Sequence, residues 1–297
     1  MYHYVRRDSS IYPNFNHLKI EDFEKQLDFF QKKYGFISKE QFLDCVDTGK
    51  DLSGVILTFD DGFKDHYENV LPLLKERNIC GFFYIPTAHY KKQDKRLLGV
   101  HQIHHLKGKY DSKELLDEVM KNVDASMLDE NKIKEFDTEL YTNMNQSHSD
   151  YQFKRLLNYY IKYEFRDTIL NELMKKYLNE EEIYKQLYLS LDELKEIEEE
   201  GHVIGSHTEN HYVLSKLNYE EQRREIEDSF QFLNSFLNLE IKSFCFPYGS
   251  RSSFNKDTLK ILEKNNVHHA FMFDNAPLND KNIKNKYFLS RIDCNRF

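Results

Sequence analysis

The sequence predicts an α/β fold of short parallel strands alternating with helices, interrupted once by a long, largely helical segment. Three observations predict it. Apolar runs of strand length recur at 55–59, 80–86, 203–206, 241–246, 270–273 and 288–292, and several end in turn residues such as Asp61-Gly62, Pro86 and Pro247-Tyr248-Gly249. Between them, 67–77, 191–200, 219–236 and 257–265 read as helices. Strand, helix, strand in that rhythm needs a crossover and hence parallel pairing, either in a barrel or in a doubly wound sheet. Third, from 91 to 188 turn residues thin out and charge is dense, which predicts a helical insertion within one domain of residues 1–297.

The elements follow in order. Tyr2-His3-Tyr4-Val5 alternates like a short strand, and Asp8-Ser9-Ser10 with Tyr12-Pro13-Asn14 supplies turn chemistry. Phe23, Leu27, Phe30 and Tyr34 fall at helical spacing ahead of Gly35, a C-terminal stop, and pack as core. Ser38 with Gln41 makes a capping box for a second helix carrying Phe42 and Leu43. The run 55–59 then delivers Asp60, Asp61 and Gly62. Within the insertion, Leu115, Leu116, Val119 and Met120 form an amphipathic stripe, and the runs Lys175-Lys176 and Glu180-Glu181-Glu182 suit solvated helix faces. His101, His104 and His105 have no acidic or cysteine neighbour in sequence, so a structural or loop role is expected for them.

Composition narrows the function classes. The formal net charge is -8, from 42 Lys+Arg against 50 Asp+Glu, which argues against a nucleic-acid partner. No apolar run is long enough to cross a bilayer, and Met1-Tyr2-His3-Tyr4-Val5-Arg6-Arg7 lacks the apolar stretch of a secretory signal, so a cytoplasmic location is expected. Cys45, Cys80, Cys245 and Cys294 are widely separated, without the pairing of a zinc cluster or a disulfide framework.

Chemistry concentrates at two strand ends. Adjacent carboxylates at Asp60 and Asp61 resist ionising together unless a cation or a proton takes up the excess, although Asp-Asp-Gly also suits a solvated turn. His207 and His211, at i and i+4, can turn their nitrogens toward one ion from a helical turn or a tight loop. Both pairs follow short apolar strands, at the end where barrel enzymes assemble their sites. Two histidines and one carboxylate leave open positions on a divalent ion for water and a substrate oxygen, a hydrolytic arrangement in which the second carboxylate takes the water's proton. A strand terminus allows the turn that brings both acids into one cavity.

In that order and strand context, Thr58-Phe59-Asp60-Asp61-Gly62, His207-Thr208-Glu209-Asn210-His211 and Phe246-Pro247-Tyr248-Gly249 resemble the motifs of the polysaccharide deacetylases, the NodB-homology or family-four carbohydrate esterases. The similarity extends from Tyr2-His3 through Phe23 and Leu27 to Leu191, Gly201 and Gly205, and leaves the insertion largely outside. The resemblance implies a distorted (β/α)7-type barrel. It also implies metal-dependent removal of an N-acetyl group from an amino sugar or N-acetylated saccharide, in surface-carbohydrate metabolism. By position it implies Asp61, His207 and His211 as ligands of Zn2+, with Co2+ or another divalent ion as alternatives, and Asp60 as general base. Phe246, Pro247 and Tyr248 are implied as the substrate and oxyanion wall, through the Tyr248 backbone amide. Two positions depart from the family pattern: Cys245 stands where arginine is common, and Leu289-Ser290-Arg291 where a Leu-x-His motif is usual. A branch resembling the poly-N-acetylglucosamine deacetylases moves the acid to a histidine on the opening strand, which Tyr2-His3 fits. His3 is therefore the expected general acid, and Arg291 the expected support for Asp60.

Two other readings stay open on sequence. A deformylase or another small-amide hydrolase would use the same site, and a silent carbohydrate-binding or scaffold protein would keep the barrel without turnover. The insertion is equally consistent with a lid, a substrate platform or a surface for homo-oligomer formation.

Overall fold

The computed structural model describes residues 1–7, 11–50, 52–91, 95–129, 148–278 and 285–294. Five strands form one sheet in sequence order: β1 (Leu57–Asp60), β2 (Gly81–Ile85), β3 (Val203–Ser206), β4 (Ser243–Cys245) and β5 (His269–Phe271). All four pairings are parallel. Side chains alternate between two buried faces, as expected of a parallel sheet covered on both sides. Leu57, Phe59, Phe83, Ile85 and Ile204 join an outer core with helices α1 (Ile20–Lys33) and α3 (Leu71–Arg77). The residues between them, Phe82, Tyr84 and Val203, meet Cys245, Phe271 and Leu289 on the inner face.

Two further segments extend the sheet at its edges, where Tyr2 bridges Phe59 and Leu289 bridges Phe271, both in parallel. They also meet each other. The Met1 amino group donates to the Ile292 carbonyl at 2.7 Å, and the Cys294 N–H donates to the Met1 carbonyl at 3.2 Å. Five strands and two edge segments thus curl into the distorted (β/α)7-type barrel expected from the resemblance. Helix α2 (Lys39–Thr48) closes the end where the strands begin. Its Phe42 stacks on Phe271 with centroids 5.6 Å apart and meets Phe82 edge-on at 5.2 Å. The predicted capping box at Ser38 and Gln41 forms in full.

Inside the barrel Gly205 lies opposite Tyr84. A Cβ on Gly205 would stand 2.5 Å from the Tyr84 ring and 2.7 Å from the Ser243 carbonyl oxygen. Glycine here lets the tyrosine cross the barrel and share a 2.7 Å hydrogen bond with Ser243 Oγ.

Between β2 and β3 lie α4 (Ala88–Lys91), α5 (Gly99–Lys109), α6 (Ser112–Met120), α7 (His148–Arg155), α8 (Tyr163–Tyr177), α9 (Glu180–Leu187) and α10 (Leu191–Glu199). Where described, the segment 91–188 holds helices α5 to α9 joined by short non-helical stretches, and α6 buries Leu115 and Val119 of its stripe while Met120 lies exposed. Helices α11 (Tyr219–Asn234) and α12 (Lys256–Lys264) follow β3 and β4. No described helix is long and apolar enough to cross a membrane, and all four cysteines are free thiols. The Asp8-Ser9-Ser10 turn lies outside the described residues.

Several expectations are revised. The opening segment makes one bridge to β1 and then leaves it, because Val5 pairs with Leu18 instead. The last segment, 288–292, likewise holds a single bridge, at Leu289. The predicted helix at 67–77 begins as a π-turn, His66–Val70, before α3. Glu180 is not simply solvated: its Oε1 accepts the Leu97 N–H at 2.9 Å and the Gln102 side-chain amide at 2.8 Å.

Candidate active site

Three strand ends deliver the site. Asp60 is the last residue of β1, His207 follows β3, and Phe246-Pro247-Tyr248 follows β4. The backbone turns sharply at each: Asp61 has φ 79°, Thr208 66°, His211 57° and Tyr248 61°, all left-handed. The turn at Asp61 is what aims both acids into one cavity. The histidine pair therefore sits in a tight loop, not on a helix. That loop is held from several sides: Thr208 Oγ1 accepts the His211 N–H at 3.1 Å, and Glu225 of α11 accepts both the backbone and side-chain N–H of Asn210, at 2.8 and 2.7 Å.

Asp61 is 1% exposed, and its Oδ1 lies 3.7 Å from His207 Nε2 and 3.4 Å from His211 Nε2. That oxygen has no hydrogen-bond partner among the described residues. His207 Nδ1 donates to the Cys245 carbonyl at 2.7 Å, so in the neutral ring Nε2 carries a lone pair. Burial drives both histidines toward that neutral form, His211 down to about 3. A lone pair then faces a carboxylate oxygen with no proton between them, an arrangement that lacks a cation. Asp61, His207 and His211 fit a divalent ion on that ground, and their ligand atoms all lie within 4.8 Å of one another.

A second set, Asp60, His207 and Cys245, is equally close. It fits an ion poorly, because Arg291 already occupies it. Nη1 and Nη2 of Arg291 donate to the two Asp60 oxygens at 2.7 Å each, and Nη2 also lies 2.9 Å from Cys245 Sγ. Nη1 reaches Thr58 Oγ1 at 3.1 Å. Burial by itself would raise the Asp60 carboxyl; Arg291, His207 and the guanidinium hydrogen bonds outweigh it and hold the group below the ordinary carboxylate range. Burial raises the Cys245 thiol well above its usual value, which keeps it protonated.

The other candidates take these places. His3 Nε2 is 3.9 Å from Asp60 Oδ2, and its backbone carbonyl accepts a 2.7 Å hydrogen bond from His66 Nε2. His3, Asp60, Asp61, His207, His211, Phe246, Tyr248 and Arg291 line one cavity of about 230 Å3. The Phe246 ring itself stacks on Phe254 at 3.9 Å and belongs to a separate cluster with α11 and α12. Tyr248 Oη donates to Asn158 at 3.0 Å, and Pro247 is buried.

One residue is placed against expectation. The histidine cluster opening the insertion lies on helix α5, not in a loop, and His101 reaches Asp61 with Nε2 3.5 Å from Oδ2. Local sequence could not reveal a partner forty residues away. Its neighbours do serve packing: His104 Nδ1 is 3.1 Å from Tyr4 Oη, and His105 lies against Tyr12 and Phe15.

The polysaccharide deacetylase family model matches residues 48–125 and 153–271, well over half the chain. The chain belongs to the polysaccharide deacetylase family. The match reaches into both ends of the 91–188 segment, further than the motifs alone suggested. Solved polysaccharide deacetylases and related proteins share the fold across 98% of this chain. The Streptococcus pyogenes deacetylase PplD, in complex with acetate, is 18% identical with a TM-score of 0.59 and 88% of its own chain covered. IcaB from Ammonifex degensii is 16% identical, with a TM-score of 0.55 and 88% covered. The BpsB deacetylase domain from Bordetella bronchiseptica is 14% identical, with a TM-score of 0.53 and 93% covered. No curated protein sequence matches the chain.

Proposed function

We propose that this polysaccharide deacetylase is a metal-dependent hydrolase that removes the N-acetyl group from an amino sugar or N-acetylated saccharide in surface-carbohydrate metabolism. The observation that carries the proposal is the convergence of His207 Nε2, His211 Nε2 and the unpartnered Asp61 Oδ1 on one point beside Asp60. A divalent ion held there, zinc first and cobalt as the alternative, would polarise the acetamide carbonyl and acidify a water.

The chain's own groups do the rest. Asp60, kept ionised by the Arg291 fork, accepts the proton of the attacking water. His3, with Nε2 3.9 Å from Asp60 Oδ2 and its side chain partly open, hands a proton to the departing amine nitrogen. The Tyr248 backbone N–H adds to the stabilisation of the oxyanion. Arg291 supplies the guanidinium that Cys245 lacks, which weakens the case for a silent scaffold.

The test is acetate release from N-acetylated monosaccharides, nucleotide sugars and oligosaccharides by the zinc- or cobalt-loaded chain. Turnover with loss of about 10²–10⁴-fold in Asp60→Asn, at unchanged metal content, is expected. A loaded protein that releases no acetate from any of them would overturn the proposal, and formate release alone would move it to a deformylase.

A further inference from the structure

We infer that His101, carried by helix α5 of the 91–188 segment, is a positioning residue of the metal centre that holds the second oxygen of Asp61 while the first faces the ion. The inference rests on the reading of Asp61, His207 and His211 as ligands. The two Asp61 oxygens look in different directions: Oδ1 toward the histidine pair and Oδ2 toward His101 Nε2 at 3.5 Å.

A hydrogen-bond chain decides which nitrogen of His101 carries the proton. The Leu98 N–H donates to Tyr188 Oη at 3.0 Å, so the tyrosine's own proton is free to go to His101 Nδ1, 2.7 Å away. With Nδ1 accepting, the neutral ring is protonated on Nε2, the atom that faces Asp61. Nε2 has no hydrogen-bond partner among the described residues. At 3.5 Å the contact is long for a hydrogen bond, and a small rotation of the carboxylate closes it. A donor on the non-ligating oxygen fixes the orientation of a metal-bound carboxylate.

The chain is anchored well away from solvent. His101 is fully buried, with the Phe63 ring edge-on at 4.9 Å. Tyr188 is held on both sides, by His89 stacked at 3.7 Å and by its bridge to Phe63, two residues beyond Asp61. Glu180 fixes the start of α5 through the Leu97 N–H. The segment between β2 and β3 thus acts as one wall of the metal centre.

The zinc dissociation constant of the full chain, measured by competition with a chromophoric chelator, tests this together with the visible spectrum of the cobalt form. His101→Leu is expected to weaken zinc by about 10–100-fold, with partial recovery in His101→Gln, whose amide can donate to Asp61. Tyr188→Phe, which leaves Nδ1 without its donor, is expected to weaken zinc by about tenfold and keeps the test alive where His101→Leu fails to fold. The cobalt spectrum should retain its coordination number in all three. Parental zinc affinity in both His101→Leu and Tyr188→Phe overturns the inference, and so does loss of a nitrogen ligand from the cobalt spectrum of His101→Leu. Parental affinity in Asp61→Asn and His207→Ala would instead remove the ligand reading on which it rests.

Discussion

Arg291 and Cys245 pose a question of residue identity. In the family pattern an arginine commonly stands two residues before the motif proline, yet here the guanidinium paired with Asp60 comes from Arg291 and ends 2.9 Å from the Cys245 sulfur. Two strands can therefore serve one spot. Arg291→Leu leaves the Asp60 charge buried without its partner, a loss of about 3–5 kcal/mol of pairing in sites of this kind, and turnover should fall by at least about a hundredfold. Adding Cys245→Arg in that background should restore about tenfold or more of the lost kcat with little change in KM, and steady-state kinetics on the paired variants decides it. The sequence already marked Asp60, Asp61, His207 and His211, because each pair is local and follows an apolar strand. Arg291 could be guessed only from strand order. His101 could not be reached at all, since what joins it to Asp61 is the packing of α5 against Phe63 and Tyr188.

Among the elements, the five strands and the helices packed around them were legible because apolar runs and helical periodicity are short-range signals. The two edge segments were less so. Each holds one bridge, and what keeps Tyr2 and Leu289 in place is hydrogen bonding to strands far away in sequence. The interior of β3 yields a prediction of its own. Gly205→Ala sets a methyl group against both the Tyr84 ring and the Ser243 carbonyl, and a backbone oxygen cannot step aside. Denaturant unfolding should report a loss of about 1–3 kcal/mol, with weakened metal binding as β3 shifts the loop carrying His207.

Taken as a whole, the molecule buries several histidines that favour the neutral form. Burial is the main cause that lowers His66 and His202 to about 4 and His105 and His269 to about 3. In the unfolded chain each takes up a proton near 6.5, whereas the folded chain refuses it until much lower pH. Below 6.5 the unfolded state therefore binds more protons, so the stability present above 6.5 is lost as pH falls toward 4. Melting of the metal-free chain across that range should show it, with the midpoint falling steadily. His202→Asn, whose side-chain oxygen can still accept the Gly81 N–H, should reduce the proton uptake on unfolding by about one. The left-handed backbone at Asp61, Thr208, His211 and Tyr248 bears on timing. Hydrogen bonds within the chain hold this backbone, the His211 N–H on Thr208 Oγ1, the Thr208 N–H on Ser206 Oγ and the Asn210 N–H on Glu225, so its cost falls on folding and not on metal capture. Stopped-flow zinc uptake should accordingly follow a single concentration-dependent phase with no slow ordering step, and a chelator should strip the ion while circular dichroism stays unchanged.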